Sequence, residues 1–361
     1  MGTLTINLSA ITGNFKKIQG VAASNCAVAA VVKANAYGCG TAAVASALHK
    51  AGADKFFIAT LTEGLELRTI VGKNPDIYML NGFDPAHADL YTEENIRPVL
   101  NSVGEIEAYS KLASQKGEAL PAILHIDTGM NRLGLEKQDV TMLADQSEKL
   151  GGIDVQYVMS HFACSDEKNH PMNESQYDVF REAVKAFPNV PQSLANSSGI
   201  FRSPDYHFDL VRPGMCLYGL NPTPETYNPM VSAVSLGVEV LQVKDAKAGE
   251  TCGYNATHCF ENNAKLAIVS MGYADGFLRE LSNKGALYCK GHRCPVRGRV
   301  SMDLTIVDLS EVPENDLPKP GDMLEVLGEH QSADDIAADC GTIGYEIFTS
   351  LSRRYQRVYK D

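Results

Sequence analysis

The 361-residue sequence contains no cluster of basic residues, no even set of cysteines and no apolar run long enough to cross a membrane. A transmembrane helix needs about 20 consecutive apolar residues, so no membrane span is predicted. The first segment, MGTLTINLSAITGNF, has neither the basic nor the apolar part of a secretory signal, and we expect no signal peptide. The net charge is −12, from 32 basic and 44 acidic side chains, which argues against a nucleic-acid or anionic-membrane partner.

The nine cysteines are scattered through the chain, and their odd number does not suit a disulfide framework. Free thiols are typical of reducing compartments, so we expect the protein in the cytoplasm. Cys289 and Cys294 could form half of a zinc site, but no second pair lies at a suitable spacing. A β-hairpin around Gly291 explains this segment more simply, and we predict no metal site.

Residues up to about Leu220 alternate apolar runs with helical patterns. The runs are rich in Val, Ile, Leu and Ala, as expected for strands buried on both faces. The predicted strands are Val28–Lys33, Phe56–Thr60, Ile77–Leu80, Ile96–Leu100, Pro121–Asp127, Val155–His161, Gln192–Asn196 and Phe208–Arg212. Helices are predicted over Thr41–Ala51, Ser102–Lys116, Glu136–Leu150 and Asn173–Ala186. Eight alternations in roughly 220 residues predict an α/β barrel of the TIM type.

The pattern changes after Leu220, where a Pro-rich segment, NPTPETYNP, is typical of a linker. Apolar residues then recur with the period of two that is typical of strands, which predicts a mainly β domain. Its predicted strands are Val234–Val243, Lys265–Met271, Ala286–Cys289, Ser301–Leu309 and Met323–Leu327, with one helix over Ser332–Cys340. We therefore predict a barrel domain over residues 1–225 and a C-terminal β domain over residues 226–361.

Polar residues end several of the predicted barrel strands, which is where the active sites of such barrels lie. Lys33 ends the first strand, His161 the sixth and Arg212 the eighth, while Arg132 follows the fifth and residues 196–199 the seventh. A lysine that merely reaches solvent is the alternative reading of Lys33. Because an unpaired ammonium group is costly to bury, its position beside the other polar strand ends favours a functional site.

These residues suit a small anionic cofactor that carries a carbonyl group. A lysine whose pKa is lowered by burial and by cationic neighbours can form a Schiff base. Backbone amides at Ser197 and at Gly214–Met215 suit a phosphate, and Arg212 could face a ring nitrogen, as in some pyridoxal-phosphate sites. The residues alone favour neither racemisation nor decarboxylation.

The segment VVKANAYGCG, which begins at Val31, resembles the cofactor-lysine motif of alanine racemases. The resemblance continues in order over nearly the whole chain. The further matching segments are HIDTGMNRLG from His125, SHFA from Ser160, ANS from Ala195, VRPGMCLYG from Val211, CGYN from Cys252, GYADG from Gly272, GRVSMD from Gly298 and GTIGYE from Gly341. Each motif is moderately specific, whereas their order and spacing together are highly specific.

The resemblance implies a pyridoxal-phosphate barrel followed by a β domain, in a homodimer whose active sites are shared between subunits. It implies that Lys33 is the covalent anchor of the cofactor and one catalytic base, and that Tyr254 reaches in from the other subunit as the second base. Arg212 would contact the pyridine nitrogen. Further cofactor positions match Tyr37, His161, Asn196, Ser197, Gly214, Met215 and Tyr345, and substrate-side positions match Arg132, Met302 and Tyr273.

His125 departs from the family pattern, in which a carbamylated and therefore anionic lysine steadies the arginine equivalent to Arg132. A histidine cannot supply that negative charge. We expect either that His125 is neutral and accepts a hydrogen bond from Arg132, or that an inorganic anion takes the place of the carbamate. A histidine that is simply packed in a strand is the third interpretation.

The resemblance favours interconversion of L- and D-alanine, supplying D-alanine for peptidoglycan. A racemase of broader or different specificity, for example for serine, is a close alternative. A non-catalytic pyridoxal-phosphate carrier is disfavoured, because a carrier needs no second base such as Tyr254. A decarboxylase is disfavoured because Arg212 beside the ring nitrogen would weaken the electron sink that decarboxylation requires.

Overall fold

The computed structural model describes residues 2–361 and consists of a barrel followed by a β domain. Strand β1 (Thr3–Asn7) belongs to the second domain's sheet, and the barrel strands follow it in the chain. They are β2 (Ala27–Val28), β3 (Ala30–Val31), β4 (Lys55–Ile58), β5 (Asp76–Met79), β6 (Ile96–Leu100), β7 (Leu120–His125), β8 (Ile153–Met159), β9 (Gln192–Ser193) and β10 (Leu210–Val211). Seven of them, β3 to β9, form one parallel sheet in sequence order.

The barrel closes between its first and last strands. β10 pairs with β2 in parallel, and a single bridge joins Asn196, which follows β9, to Arg212, which follows β10. β2 and β3 are the two halves of one predicted strand, separated by Ala29. The predicted α/β barrel is therefore confirmed, including its short seventh and eighth strands.

The barrel interior is filled by side chains from successive strands. They form a buried cluster that is separate from the main core: Ala29, Val31, Phe57, Tyr78, Val99, Ile123, Met159 and Leu210. Phe57 and Tyr78 stack with their ring centroids 5.1 Å apart. The larger core cluster includes the residues that alternate with these along the strands, such as Phe56 and Ile58. Because apolar residues line both faces, the strands have the near-continuous apolar sequences from which they were predicted.

The helices that connect these strands include the four predicted ones, whose ends shift by up to five residues, and five that were not predicted. They are α1 (Leu8–Val21), α2 (Lys33–Tyr37), α3 (Thr41–Lys50), α4 (Leu61–Val71), α5 (Ala88–Glu93), α6 (Val103–Lys116), α7 (Lys137–Asp145), α8 (Met172–Ala183) and α9 (Ser197–Arg202). Ser102 caps α6 by accepting a hydrogen bond from the Glu105 amide at 3.2 Å. The start predicted for the fourth helix, Asn173, is one residue late, since α8 begins at Met172, behind Pro171.

The second domain is mainly β, as predicted. Its strands are β11 (Val234–Ala246), β12 (Thr251–Cys252), β13 (His258–Cys259), β14 (Ala264–Val269), β15 (Ala286–Cys289), β16 (His292–Pro295), β17 (Thr305–Asp308), β18 (Met323–Leu327) and β19 (Gln356–Lys360), with helices α10 (Ala333–Cys340) and α11 (Gly344–Ser350). β15 and β16 pair as an antiparallel hairpin around Gly291, which confirms that interpretation of the Cys289–Cys294 segment. Residues 2–361 contain no group of three or more His, Cys, Asp or Glu side chains that could hold a metal ion.

Four strands of this domain, β1, β12, β13 and β19, and the helix α11 were not predicted. β1, from the start of the chain, pairs antiparallel with β11 and parallel with β19, at the end of the chain. Helix α11 follows α10 directly and carries Tyr345. The first residues of the chain thus complete the sheet of the second domain, while the domain boundary at residues 225 and 226 stays a prediction.

Candidate active site

A left-handed turn begins at Lys33, directly after β3. Ala34, Asn35, Ala36 and Tyr37 all have positive φ angles, between 51 and 54°. Left-handed backbone costs roughly 1–2 kcal/mol for each residue that has a Cβ atom, so the surrounding structure must stabilise this turn. One stabilising contact comes from Glu63, whose carboxylate accepts hydrogen bonds from the Ala34 amide and from the Ala59 amide, each at 2.7 Å. Glu63 thereby ties the turn to the end of β4.

Lys33 is half-buried at the barrel mouth, which is the end of the barrel where strands such as β3 and β4 end. Desolvation lowers the pKa of its ammonium group, the nearby positive charge of Arg132 lowers it further, and Glu63 acts in the opposite direction. A lower pKa increases the fraction of neutral amine, which is the form that attacks a carbonyl carbon. The environment of Lys33 therefore suits a covalent anchor.

Arg212, which follows β10, lies buried beside His161, which follows β8. Its Nη1 donates to Ser193 Oγ at 2.5 Å, and its Nη2 donates to Ser160 O at 2.6 Å and to His161 Nδ1 at 3.3 Å. None of the side-chain hydrogen bonds that Arg212 makes within residues 2–361 uses Nε. Desolvation lowers the pKa of Arg212 to about 9. Desolvation and the charge of Arg212 hold the pKa of His161 well below its usual value, so the imidazole is neutral and accepts through Nδ1.

A group of hydroxyl and amide donors lies close to the turn. The rings of Tyr37 and Tyr345 lie 6.3 Å apart, and burial raises the pKa of both phenols, which keeps them protonated. The Gly214 amide donates to Ser197 Oγ at 2.9 Å. A Cβ atom at Gly214 would lie 2.4 Å from Tyr37 Oη, so a side chain there would clash with the tyrosine. The structure thus brings these four predicted cofactor residues together, with Met215 next in the chain.

Asn196 has a supporting position in this group. Its Oδ1 accepts hydrogen bonds from the Gly199 amide at 3.0 Å and from Ser165 Oγ at 2.7 Å, so it caps the short helix α9 that begins at Ser197. Asparagine is one of the preferred residues at such caps. Asn196 therefore orients Ser197 rather than offering its own side chain to a ligand.

Arg132 lies in a loop that folds back onto the end of β7. Asp127 shapes this loop by accepting hydrogen bonds from the amides of Gly129 and Asn131, at 2.9 and 3.2 Å. Arg132 itself is exposed, and no hydrogen bond or ion pair to its side chain is present in residues 2–361. An arginine without a carboxylate partner is suited to bind the carboxylate of a ligand.

His125 is buried at the end of β7 and contacts Asn101, at the end of β6. Its Nδ1 lies 2.7 Å from Asn101 Oδ1, while the Asn101 amide nitrogen donates to Val99 O and Leu80 O at 2.8 and 3.2 Å. Asn101 Oδ1 must therefore accept, which places the His125 proton on Nδ1 and leaves Nε2 as the acceptor. Desolvation, followed by the charges of Arg212 and Arg132, lowers the pKa of His125 to about 4. The expected neutral form is supported, but no hydrogen bond from Arg132 to His125 is formed in residues 2–361.

We expect acid to destabilise the protein through His125. An unfolded histidine has a pKa near 6.5 and the folded one about 4, so between these values only the unfolded chain binds the proton. Stability should fall as the pH drops through this window, by up to about 3 kcal/mol for this group. Urea unfolding at neutral and acidic pH measures the loss. His125→Gln should flatten the dependence, and an unchanged slope in that variant would contradict the assignment.

Tyr254, Tyr273 and Met302 lie on the second domain, with 69, 43 and 52% of their surfaces exposed. Their loops are joined: a Cβ atom at Gly253 would lie 2.6 Å from the Arg299 amide nitrogen, and the Tyr273 amide donates to Ser301 O at 3.0 Å. No hydrogen bond or ring contact within residues 2–361 connects any of the three to Lys33. A single chain therefore leaves all three side chains exposed, without a hydrogen bond or ring contact to Lys33 in residues 2–361.

Two residues of the site, Glu63 and Asn101, were missed by the sequence reading. Thr60 and Glu63 have the spacing of a capping box, which the structure contains at the start of α4. That pattern would have placed a carboxylate at the end of β4. Asn101 directly follows the apolar run of β6, so an inspection of every strand end would have found it.

A lysine of lowered pKa, on a turn that lies close to hydroxyl and amide donors, suits an aldehyde cofactor carrying a phosphate, and with this barrel it defines the class of pyridoxal-phosphate-dependent barrel enzymes. The chain belongs to the alanine racemase family, a family of pyridoxal-phosphate-dependent racemases. The family profile of the alanine racemase N-terminal domain matches residues 6–222, and that of the C-terminal domain matches residues 233–359.

Individual relatives are similar over the full chain. A protein of Mesorhizobium japonicum named "Alanine racemase, catabolic" is 45% identical, across 99% of this chain and 92% of its own. The alanine racemase of Rickettsia akari is 42% identical, across 99 and 98%. The crystal structure of alanine racemase from Bartonella henselae with covalently bound pyridoxal phosphate superposes with a TM-score of 0.95, at 38% identity and 99% coverage of both chains. No helix in residues 2–361 has the length and apolar character needed to cross a membrane.

Proposed function

We propose that this racemase interconverts L-alanine and D-alanine by a two-base mechanism, with Lys33 of one subunit and Tyr254 of another as the bases. The observation that carries the proposal is the strained turn that presents Lys33, with its lowered pKa, beside the group formed by Tyr37, Ser197 and Gly214. The names of the full-length relatives support alanine as the substrate.

The residues around Lys33 fit pyridoxal phosphate. Lys33 would be the covalent anchor of the cofactor. The phosphate group of the cofactor would bind the donors of Tyr37, Ser197, Gly214, Met215 and Tyr345, and Asn196 would orient Ser197. The bound cofactor withdraws electrons from the Cα atom of an amino acid and so acidifies its proton. The clash that any Cβ at Gly214 would make with Tyr37 Oη fits a cradle that must accept a ligand closely.

Arg212 would donate from Nε, which makes no hydrogen bond within residues 2–361, to the ring nitrogen of the cofactor. Arginine is always charged at neutral pH and does not give up its proton, so the ring nitrogen would stay unprotonated. His161, held against Nη2, would fix the orientation of the guanidinium. An unprotonated ring limits the spread of negative charge, which favours racemisation over transamination.

Inversion at Cα requires one group that removes a proton from one face and another that returns a proton to the opposite face. Lys33 would serve one face. Tyr254 is largely exposed in a single chain, whereas a catalytic base is expected to lie within a site. Its exposure supports a homodimer in which Tyr254 completes the site of the other subunit. Tyr273 and Met302 share its surface and would enter the same site from that side.

The substrate carboxylate would bind Arg132, which has no anionic partner within residues 2–361. His125 would contribute as a neutral acceptor through Nε2, held in that tautomer by Asn101. An inorganic anion beside Arg132 remains the alternative to this acceptor. Either arrangement would give Arg132 an acceptor without a carbamylated lysine, and only the anion would also balance its charge.

We further propose a cytoplasmic enzyme that supplies D-alanine for peptidoglycan. A degradative role is a second candidate, because two relatives at 45 and 43% identity are named "Alanine racemase, catabolic". The reaction is reversible, so the geometry of the site serves both roles equally. Gene deletion separates them: a D-alanine requirement for growth supports the first role, and loss of growth on alanine as carbon source supports the second.

The proposed reaction is tested by incubating the purified holoenzyme with single L-amino acids and measuring D-enantiomer and carbon dioxide. D-alanine as the dominant product is the expected result. Faster formation of D-serine would show that serine, not alanine, is the preferred substrate. Carbon dioxide would indicate a decarboxylase. Formation of neither product from any amino acid would indicate a non-catalytic carrier.

A further inference from the structure

The second half of the Lys33 turn is held by the last strand of the chain. Arg357 and Tyr359, both on β19, reach the backbone that leaves the turn: Arg357 Nη2 donates to Gly38 O at 3.1 Å, and Tyr359 Oη donates to Cys39 O at 3.1 Å. The same guanidinium donates to Ser352 O and Leu351 O at 3.3 and 3.4 Å. Residues more than 300 positions away in the sequence thus hold the carbonyl groups that follow Lys33.

The turn and the second domain fit together with no spare space. A Cβ atom at Gly38 would lie 2.2 Å from Phe348 O, in α11, and one at Gly40 would lie 2.1 Å from Tyr359 Oη. Both glycines also have positive φ angles, of 80 and 101°. Glycine is therefore required at both positions by conformation and by the close approach of the second domain.

The turn does not itself supply hydrogen-bond donors to the carbonyl groups of Gly38 and Cys39. Its own hydrogen bonds, from the Gly38 amide to Ala34 O and from the Gly40 amide to Asn35 O, are both 2.9 Å long. They leave the carbonyl groups of Gly38 and Cys39 pointing to β19, where Arg357 and Tyr359 are the donors. Glu63 holds the other end of the turn, at the Ala34 amide. A strained segment persists only when its surroundings over-determine it, and these contacts act from both ends.

We propose that Arg357 and Tyr359 are positioning residues, which fix the left-handed turn and thereby the direction in which Lys33 presents its amine to the cofactor. The inference rests on the proposed role of Lys33 as the covalent anchor. It assigns to the C-terminal strand a part in cofactor retention, although neither residue touches the donor group around Gly214.

The test compares Tyr359→Phe with the matched control Tyr109→Phe. Tyr109, on α6, also donates from its Oη to a backbone carbonyl, that of Pro121, at 3.1 Å. This bond joins α6 to β7 and does not involve the Lys33 turn. Each variant loses one hydroxyl and one such bond. We measure hydrogen exchange of the amides of residues 34–40, the rate of pyridoxal-phosphate release from the holoenzyme, and the absorbance of the bound cofactor.

For Tyr359→Phe we expect amide exchange in the turn and cofactor release to accelerate about two- to tenfold, the worth of one net hydrogen bond. Tyr109→Phe should lower thermal stability similarly and leave both rates unchanged. Arg357→Lys, which keeps the charge but not the fork of donors, should show a larger effect than Tyr359→Phe. Equal rates in Tyr359→Phe and Tyr109→Phe would overturn the proposal.

The outcome is separable from that of the proposed function. Borohydride reduction followed by peptide mapping shows whether the wild-type cofactor is attached to Lys33. If it is attached and Tyr359→Phe behaves like its control, only the positioning role fails. If it is not attached, the proposed function fails, while the exchange rates of residues 34–40 still report whether β19 holds the turn.

Discussion

Lys33→Ala is expected to abolish covalent attachment of pyridoxal phosphate and to slow alanine racemisation by about 10³-fold or more, because the variant loses both the anchor and one proton-transferring base. The reason is structural as well as chemical. Lys33 is the amine of lowered pKa at the barrel mouth, and the turn that carries it is held from both ends. The absorbance of the bound cofactor and the rate of D-alanine formation measure the two losses separately.

Lys55→Ala provides the control. Lys55 begins β4, whereas the Lys33 turn is tied to the other end of that strand. The Lys55 amine contacts Asp54 and Asp76 at 3.3 and 3.8 Å. Loss of that amine should leave cofactor attachment and racemisation near wild-type levels. A Lys33→Ala protein that still holds the cofactor after reduction with borohydride would contradict the assignment.

Tyr254→Phe is expected to retain the cofactor and its absorbance but to lose racemisation by about 10²- to 10⁴-fold in the direction that Tyr254 initiates. Only the hydroxyl is removed, and the side chain is exposed in the single chain, so the fold should not change. The loss of deuterium from Cα of each alanine enantiomer, followed separately, measures proton removal on each face.

Tyr227→Phe is the matched control, since Tyr227 is also an exposed tyrosine, with 94% of its surface accessible. It should behave as wild type. Unchanged rates in both directions for Tyr254→Phe would remove Tyr254 from the mechanism and would leave the second base unassigned.

The barrel could be predicted from the sequence because each of its strands is buried on both faces and so forms a continuous apolar run. β19 has no such run: its sequence, QRVYK, mixes charged and apolar residues, and only two of its five residues are even half-buried. Its partner β1 lies at the other end of the chain, a pairing that no local pattern can indicate. The helix α11 was missed because it is short and buries few apolar residues.

The site was predictable to the extent that its side chains end buried strands, as Lys33, His161 and Arg212 do. The left-handed turn was not, because Lys, Ala, Asn and Tyr are ordinary in right-handed helices and only Gly38 and Gly40 hint at unusual backbone. The conformation depends on contacts from Glu63 and β19 that exist only in the folded chain. The protonation state of His125 similarly depends on Asn101, which a neighbouring strand provides.

The proposed active site, which combines Lys33 of one subunit with Tyr254 of the other, is tested most directly by mixing the two inactive variants. Lys33→Ala and Tyr254→Phe subunits, carrying different tags, are co-expressed and the mixed dimer is purified. Each mixed dimer would contain one site with both bases and one site with neither, so the purified mixed dimer should have about half of the wild-type activity. Mixed dimers no more active than the parent variants would contradict the shared site.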